Sequence, residues 1–185
     1  MTAPSRLSKT QDGHAGSTNA NKPASMNTNR QALIDGLNHD LAGEYQAVLM
    51  YIHYSAKLTG PYRGELRALF QAEIADEQRH AQFLSDKVAA LGGEPTTRPR
   101  SVPVADQPRD MLVQALTAEK QAIADYNARI LQAQACEDFG LKVILENQVA
   151  DETRHKEELE RILAGWTDAR LERTRQHGQD VGGQG

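Results

Sequence analysis

The chain contains an internal repeat, and both copies carry the same acidic, tyrosine and histidine residues. The runs Ala75–His80 and Ala150–His155 match at five of six positions and lie 75 residues apart. Upstream of each run, a Glu is followed seven residues later by a Tyr, as in Glu44–Tyr51 and Glu119–Tyr126. Carboxylates and imidazoles are metal-ligand types. The repeat therefore indicates two similar halves, each of which supplies potential ligands to a metal site.

Apolar residues recur in steps of three and four along four stretches, which predicts four amphipathic helices. Ala, Leu, Glu and Gln are frequent beside sparse Val and Ile, and this balance also favours helices over strands. Gly60-Pro61 and Gly92-Gly93 are stop signals after the first two stretches. The predicted helices run from about Asn29 to Leu58, from about Tyr62 to Leu91, from Pro108 to a turn at 137–140, and from that turn to about Trp166.

The connections between these helices predict an all-α, antiparallel four-helix bundle. Short turns join the two helices of each half, whereas residues 94–107, with three prolines, form a long crossover between the second and third helices. The turn at 60–61 lies midway between Glu44 and Glu77, so an antiparallel hairpin places these two carboxylates at the same height. The second half repeats this arrangement, and the pseudo-two-fold axis of the repeat brings both sets to the centre of the bundle.

Six acidic and histidine residues fall on the inner faces of the predicted helices, where apolar residues are expected. Burying unpaired carboxylates costs several kcal/mol each, against a net stability of only ~5–15 kcal/mol for a whole domain. Two divalent metal ions would balance four carboxylates, and oxygen-rich ligation with one His per metal favours iron or manganese over zinc. One Glu-x-x-His pair could be a solvated helix face, but two copies on apolar stripes argue against that. The six residues are Glu44, Glu77, His80, Glu119, Glu152 and His155.

A Glu from each of two helices with a Glu-x-x-His from each of the other two resembles the ferritin-like superfamily, and within it the bacterioferritin-type di-iron proteins. The resemblance covers about residues 29–166; a starvation-protein-like ferritin with a bacterioferritin-type site is a variant of it. It implies that two carboxylates bridge two iron ions per chain, with manganese also possible. By that resemblance Glu77 and Glu152 bridge the metals, Glu44 and His80 complete one site, and Glu119 and His155 complete the other.

The same resemblance implies a ferroxidase, which oxidises Fe(II) with O2 or H2O2 for iron storage or detoxification. It implies a homo-oligomer, at least a dimer, and a shell of 12 or 24 subunits where iron is stored. The alternative is a small oligomer that scavenges peroxide or O2 at the same di-metal site without storing mineral. Bacterioferritins usually bind haem through a Met directly after the second-helix ligand Glu. Gln78 stands at that position, so no haem is expected by that route.

Residues beside the ligands have two interpretations each. Asp76 and Asp151 are expected to reach the His of the opposite half, although surface carboxylates would explain them too. By resemblance, Tyr51 lies beside the metals and can give up an electron, and a core tyrosine is an equal alternative; for Tyr126 the core interpretation is favoured. Glu73 could hold a transient iron with Asp76, but a carboxylate on the bundle edge is favoured.

Charge and composition exclude several other classes of protein. The net charge of −4 shows no nucleic-acid signature, so nucleic acid is not an expected partner. Cys136 is the only cysteine, which excludes an internal disulfide framework and indicates a reducing, cytoplasmic setting. No apolar run precedes residue 30, so no secretory signal is expected, and no run approaches membrane-spanning length.

The two ends of the chain are predicted to lie outside the bundle. Residues 1–28 are rich in Ser, Thr, Asn and Gly and are expected to be disordered. This tail is mildly basic, so an arm that touches nucleic acid or a partner subunit is the alternative. Residues 167–185 are expected to form a short helix or a loose tail.

Overall fold

The computed structural model describes residues 22–166, with side chains from residue 27 onwards. This part of the chain forms four helices and no strand, which confirms the predicted all-α bundle. The helices are α1 (Lys22–Lys57), α2 (Arg63–Ala90), α3 (Pro108–Ala135) and α4 (Phe139–Ala164). None of them is both long enough and apolar enough to cross a membrane.

The predicted helix boundaries agree with the structure to within a few residues, except at the start of α1. That helix begins at Lys22 rather than near Asn29, so the predicted disorder was wrong for residues 22–28. Pro23 is compatible with a first helical turn because its fixed φ is close to the helical value. The predictions for residues 1–21 and 167–185 lie outside the described residues.

All three connections contain a residue with a positive φ close to a helix end, and in two of them it is a glycine. Gly60 (φ +87°) follows α1 and Gly92 (φ +77°) follows α2, as the stop signals predicted. In the turn between α3 and α4 this conformation is adopted by Glu137, with a φ of +59°. A side chain at such a position is strained because its Cβ approaches the backbone carbonyl.

The apolar core consists of two clusters, and the repeated polar residues lie between them. Along α1, one cluster ends at Leu41 and the other begins at Ala47, with Glu44 in the gap. Along α2, Phe70 belongs to one cluster and Ala81 to the other, with Glu77 between them. The polar residues are therefore enclosed by apolar packing at both ends, which keeps them away from bulk water.

The crossover between α2 and α3 lies along α1 and is held by α1 side chains. Because the acceptors follow the same chain order as the donors, the crossover runs parallel to α1 and brings the start of α3 to the C-terminal end of α1. The two helices are therefore antiparallel, with Tyr51 opposite Glu119 and Tyr126 opposite Glu44. The donor–acceptor pairs are Asn38 Nδ2 with Glu94 O (3.0 Å), Gln46 Nε2 with Ser101 O (2.6 Å), Tyr54 Oη with Pro103 O (2.7 Å) and Lys57 Nζ with Ala105 O (3.0 Å).

The strained turn gives a prediction for stability. Glu137→Gly should raise the free energy of unfolding by about 1 kcal/mol, because glycine adopts a positive φ without the Cβ clash. Urea denaturation followed by circular dichroism measures the change. Glu137→Ala is the control, since it keeps the Cβ and should leave stability nearly unchanged. An equal gain in both variants would show that the Glu137 carboxylate, and not the backbone, is the source of the strain.

Candidate metal centre

The structure brings all six repeated acidic and histidine residues together in the middle of the bundle. Each helix supplies one Glu, and α2 and α4 each add a His one turn further along. All six are nearly inaccessible, with relative exposures between 0% for Glu152 and 7% for His155. Their arrangement follows from the repeat, since equivalent residues of two similar hairpins face each other across the bundle axis.

The six residues form two overlapping groups whose ligand atoms lie within 4.8 Å of one another. One group is Glu44, Glu77, His80 and Glu152; the other is Glu77, Glu119, Glu152 and His155. Glu77 and Glu152 belong to both groups, whereas each remaining Glu and His belongs to one. The family resemblance implied bridging roles for the two shared residues, and these roles stay a prediction.

Glu152 lies between the two histidines. Its Oε1 is 2.9 Å from Nδ1 of His80, and its Oε2 is 3.5 Å from Nδ1 of His155. Both oxygens and both Nδ1 atoms are buried and lack an aligned hydrogen-bond partner. Buried polar atoms normally have such a partner. Unpaired oxygen and nitrogen donors that converge on one space fit a pair of divalent cations.

The outer nitrogen of each histidine faces the aspartate of the opposite half. Asp151 Oδ2 lies 3.8 Å from Nε2 of His80, and Asp76 Oδ2 lies 3.5 Å from Nε2 of His155. The structure therefore agrees with the expected crossing of these two aspartates. A carboxylate on this side of an imidazole orients the ring so that its other nitrogen points at the metal position.

The two halves differ one turn before the shared glutamates. Glu73 Oε2 lies 3.1 Å from Nε2 of His155, so this histidine has two carboxylates beside its outer nitrogen. The matching position in the second half is Gln148, which is buried and whose Oε1 has no partner. Glu73, Asp76 and His155 form a third group of potential ligand atoms, so a transient iron near Glu73 stays a prediction.

Both repeated tyrosines contact a glutamate of the opposite half. The Tyr51 hydroxyl donates a hydrogen bond to Glu119 Oε1, and the Tyr126 hydroxyl donates one to Glu44 Oε1. Both rings are fully buried. The sequence favoured a structural role for Tyr126 over Tyr51, but the geometry gives the two residues equivalent contacts.

Proton binding compensates part of the buried charge. Burial and neighbouring carboxylates hold the pKa values of Glu77 and Glu119 well above their usual range, and burial also raises the pKa of Glu44. Burial opposes ionisation of Glu152 too, yet its contacts with His155, His80 and Glu119 lower its pKa to about 2. Burial lowers the histidine pKa values, but Glu152 and other carboxylates outweigh it and raise both.

An ion pair that sequence reasoning missed lies one turn from the site. Asp40 Oδ2 is 3.0 Å from Nε of Arg129, and both side chains are buried. Burial raises the pKa of Asp40 to about 7, and the attraction to Arg129 only partly offsets it. The guanidinium lies against Gly36, where an added Cβ would fall 1.6 Å from Nη1 of Arg129. The inward position of Asp40, one turn before Glu44, was the available signal.

Four helices that enclose buried carboxylates and imidazoles place this protein in the class of helical bundles with a carboxylate–histidine centre. The family model described as a ferritin-like domain matches residues 34–168, so the chain belongs to the ferritin-like family. It is 30% identical to a bacterioferritin of Mycobacterium leprae over 129 residues, which are 69% of this chain and 81% of that protein. It is 28% identical to a bacterioferritin of Desulfovibrio desulfuricans over 108 residues, which are 58% and 59% of the two chains.

A solved structure supports the same assignment. A crystal structure described as a ferritin-like, diiron-carboxylate protein from Bacillus anthracis is 47% identical, with a TM-score of 0.72. The match covers 73% of this chain and 97% of that one. Together with the family match, it confirms the ferritin-like resemblance that the sequence repeat indicated.

The shifted pKa values predict that the metal-free protein loses stability as pH rises from 5 to 8. Glu44, Glu77 and Glu119 have raised pKa values, so the folded state retains protons that the unfolded state releases above the reference pKa of 4.5. The raised histidine pKa values act in the same direction, because their stabilisation is lost as pH rises through the folded pKa. Because the pKa of Glu152 is about 2, its contribution to the free energy of unfolding does not change between pH 5 and 8.

Thermal unfolding of the metal-free protein, followed by circular dichroism, measures this dependence. The combined variant Glu77→Gln, Glu119→Gln cannot ionise at these positions and should have a flatter slope. With Co(II) bound, the slope should reverse, because the metal displaces protons from its ligands. A midpoint that rises with pH in the metal-free wild type would contradict the prediction.

Proposed function

We propose that this protein is a ferroxidase that binds two Fe(II) ions per chain and oxidises them with O2 or H2O2. The observation that carries the proposal is the pair of overlapping ligand groups sharing Glu77 and Glu152. Two shared carboxylates hold two cations close together, so both can give electrons to one oxidant. Two Fe(II) reduce O2 and two protons to H2O2, or reduce H2O2 and two protons to two waters.

The chain's own residues have distinct parts in this proposal. The carboxylates of Glu44, Glu77, Glu119 and Glu152 balance the charge of the iron, and their oxygens suit both its oxidation states. His80 and His155 add one nitrogen donor each, with Asp151 and Asp76 orienting the rings. Manganese suits the same donors, so iron is chosen on the strength of the diiron-carboxylate relative.

The proposal extends to a homo-oligomer in the cytoplasm that handles iron for storage or detoxification. Its support is the bacterioferritin similarity, together with large apolar side chains on the surface near the turn between α3 and α4. Exposed apolar groups grouped in this way are typical of contact surfaces. These exposed side chains are Leu131, Phe139, Val143 and Ile144.

The alternative function, a small oligomer that scavenges peroxide or O2 without storing mineral, uses the same site.

The first test removes the negative charge of both shared ligands. Glu77→Gln combined with Glu152→Gln should reduce the rate of Fe(II) oxidation to the protein-free rate, because the site can no longer balance two cations. The rise of ferric absorbance after Fe(II) is added in air measures the rate. The matched control is Glu65→Gln with Glu158→Gln, which makes the same change at two exposed positions on α2 and α4. Equal rates in wild type and the Glu77–Glu152 variant would contradict the ferroxidase proposal.

The same samples distinguish storage from scavenging. After tens of Fe(II) equivalents per chain are added, size exclusion separates iron bound to protein from free iron. Storage requires retention far above two iron ions per chain in a large particle. Retention near two in a small oligomer would replace storage with the scavenging alternative, while leaving the ferroxidase chemistry in place.

We further propose that Tyr51 gives up one electron when O2 is reduced to two waters, a four-electron reaction in which the two Fe(II) ions of the site and one further Fe(II) supply the other three electrons. The support is its buried hydrogen bond to Glu119, which can accept the phenolic proton as the electron passes to the oxidant. Its ring centroid lies 5.5 Å from that of Phe70, in an apolar setting that shields it from water.

Tyr126→Phe is the matched control for Tyr51→Phe, because each variant loses one hydrogen bond to one glutamate. Freeze-quenched samples of wild type and Tyr126→Phe should show a tyrosyl radical by electron paramagnetic resonance, and Tyr51→Phe should not. A radical that survives Tyr51→Phe would leave Tyr51 with a positioning role alone.

A further inference from the structure

The proposed oxidation requires protons as well as electrons at the buried centre. Reduction of O2 to H2O2, and of H2O2 to two waters, consumes two protons each. Binding of divalent cations has the opposite requirement, because ligands bind a metal in their deprotonated form and release protons as they do so. Both processes therefore move protons between bulk water and a site whose four glutamates are at most 3% exposed.

A cavity of about 180 Å³ between α1 and α3 connects this centre with the surface. Glu44, Glu77 and Glu119 line one part of it, and the exposed Gln121 lines another. A molecule of liquid water occupies about 30 Å³, so the cavity has room for several of them. Much of the lining is polar, which suits water molecules because they need hydrogen-bond partners. The cavity is therefore able to hold a short chain of waters between solvent and the centre.

Asp40 is a further carboxylate that lines this cavity, one turn before Glu44 on α1. Its Oδ2 lies 3.0 Å from Nε of Arg129, yet neither carboxylate oxygen has an aligned hydrogen-bond partner in the described part of the chain. Four residues of a helix rise about 6 Å, so Asp40 is close to the centre without belonging to either ligand group. A buried carboxylate with unused acceptor positions is thus available to water in the cavity.

The internal repeat shows that the pair of Asp40 and Arg129 is not needed to fill the bundle. The positions 75 residues away are Ala115 and Tyr54, which are fully buried members of an apolar cluster. A buried ion pair contributes little net stability, since the loss of hydration offsets the attraction between the charges. The same framework therefore accommodates an apolar pair at one end of the centre. The charged pair at the other end requires a reason other than packing.

The groups around Asp40 carry balanced charges. Burial raises the pKa of Asp40 to about 7, while two guanidinium groups oppose this rise and two carboxylates add to it. A carboxyl with a pKa near neutrality is present in both forms at pH 7, which suits a group that transfers protons in either direction. The guanidinium groups belong to Arg129 of α3 and Arg100 of the crossover, the carboxylates belong to Asp125 of α3 and Glu44 of α1, and Glu77 of α2 lines the same cavity.

We propose that Asp40 is a proton relay, which passes protons through the cavity between α1 and α3 from solvent to the metal centre during oxidation, and in the reverse direction when divalent cations bind. In each inward transfer the Asp40 carboxyl gives one proton to a water molecule on the side of the centre and takes one from a water molecule on the side of the solvent, so it returns to its starting state. The inference rests on the proposed ferroxidase function. It assigns Asp40 a role in the rate of proton transfer and none in holding the metals.

Replacing both charged residues tests the relay without a change in net charge. Asp40→Ala with Arg129→Met removes the carboxylate and leaves no unpaired guanidinium in the core. Stopped-flow mixing of the metal-free protein with Co(II) follows metal binding by visible absorbance and proton release by a pH indicator. Both rates should fall about tenfold or more, and the rate of Co(II) release to a chelator should fall by the same factor. The affinity for Co(II) should stay as in wild type, because a relay changes the rates in both directions equally.

Two further variants distinguish a relay from a structural role. Asp40→Glu keeps a carboxylate in the cavity and should retain most of the wild-type rate. Glu157→Ala with Arg161→Met removes an exposed ion pair of α4 in the same way and should leave every rate unchanged. If the variant without Asp40 and Arg129 does not fold, Asp40→Asn takes its place, since it keeps the shape of the side chain and should slow proton release as well.

Two outcomes of the Co(II) experiment overturn the relay. One is equal binding and proton-release rates in wild type and in the variant that lacks the Asp40 carboxylate. The other is a loss of Co(II) affinity with faster metal release, which would show that the residue supports the ligands structurally.

Oxidation of preloaded Fe(II) by O2 separates the relay from the function on which it rests. Wild type should oxidise its iron faster than protein-free buffer, and Asp40→Ala with Arg129→Met should be about tenfold slower than wild type or more. If wild type is no faster than buffer, the ferroxidase proposal fails, and the Co(II) rates alone decide whether Asp40 carries protons. If wild type is fast and the variant matches it in both experiments, the ferroxidase stands and the relay is overturned.

Discussion

The structure depends on four carboxylates that are almost completely buried in the middle of the bundle. Isolated charges in such a place would outweigh the stability of the whole bundle. In the metal-free protein, burial raises the pKa values of Glu44, Glu77 and Glu119 and so favours their neutral forms, whereas contacts with both histidines lower the pKa of Glu152. The same donors suit two divalent cations. Proton binding and metal binding therefore compete for one set of atoms, which lies between the two apolar clusters.

The duplication accounts for the symmetry of the centre, and the symmetry ends where the two halves differ in sequence. Contacts cross between the halves in pairs, as when Tyr51 bonds Glu119 and Tyr126 bonds Glu44. Each half therefore positions potential metal ligands of the other, and each ligand group contains residues of both halves. The symmetry ends at Glu73, whose counterpart is Gln148, so only His155 has a second carboxylate within hydrogen-bonding distance of its outer nitrogen. The two histidines consequently differ in the number of carboxylates beside their outer nitrogens, although the two ligand groups contain the same residue types.

Much of this was predictable, because apolar spacing and stop signals indicated the four helices and the repeat indicated the six polar residues on their inner faces. The crossing of Asp76 and Asp151 to opposite histidines followed from the same symmetry. What could not be predicted depends on contacts that break the repeat or lie outside it. Arg100 belongs to the crossover, which has no second copy, and its guanidinium donates hydrogen bonds to the His39 carbonyl oxygen of α1 and to Asp125 of α3. The start of α1 was misplaced because polar composition indicated disorder where the backbone is helical.

The crossover's attachment along α1 has a consequence for the order of folding. The contacts within each hairpin are close in sequence, whereas those between hairpins span long separations and form more slowly. The crossover is fixed by Asn38, Gln46 and Tyr54, so its docking draws the second hairpin into register with the first. The centre exists only after that late step. A chain still in the process of folding therefore presents two half-sites, and metal captured at that stage would meet an open surface rather than an enclosed pair of positions.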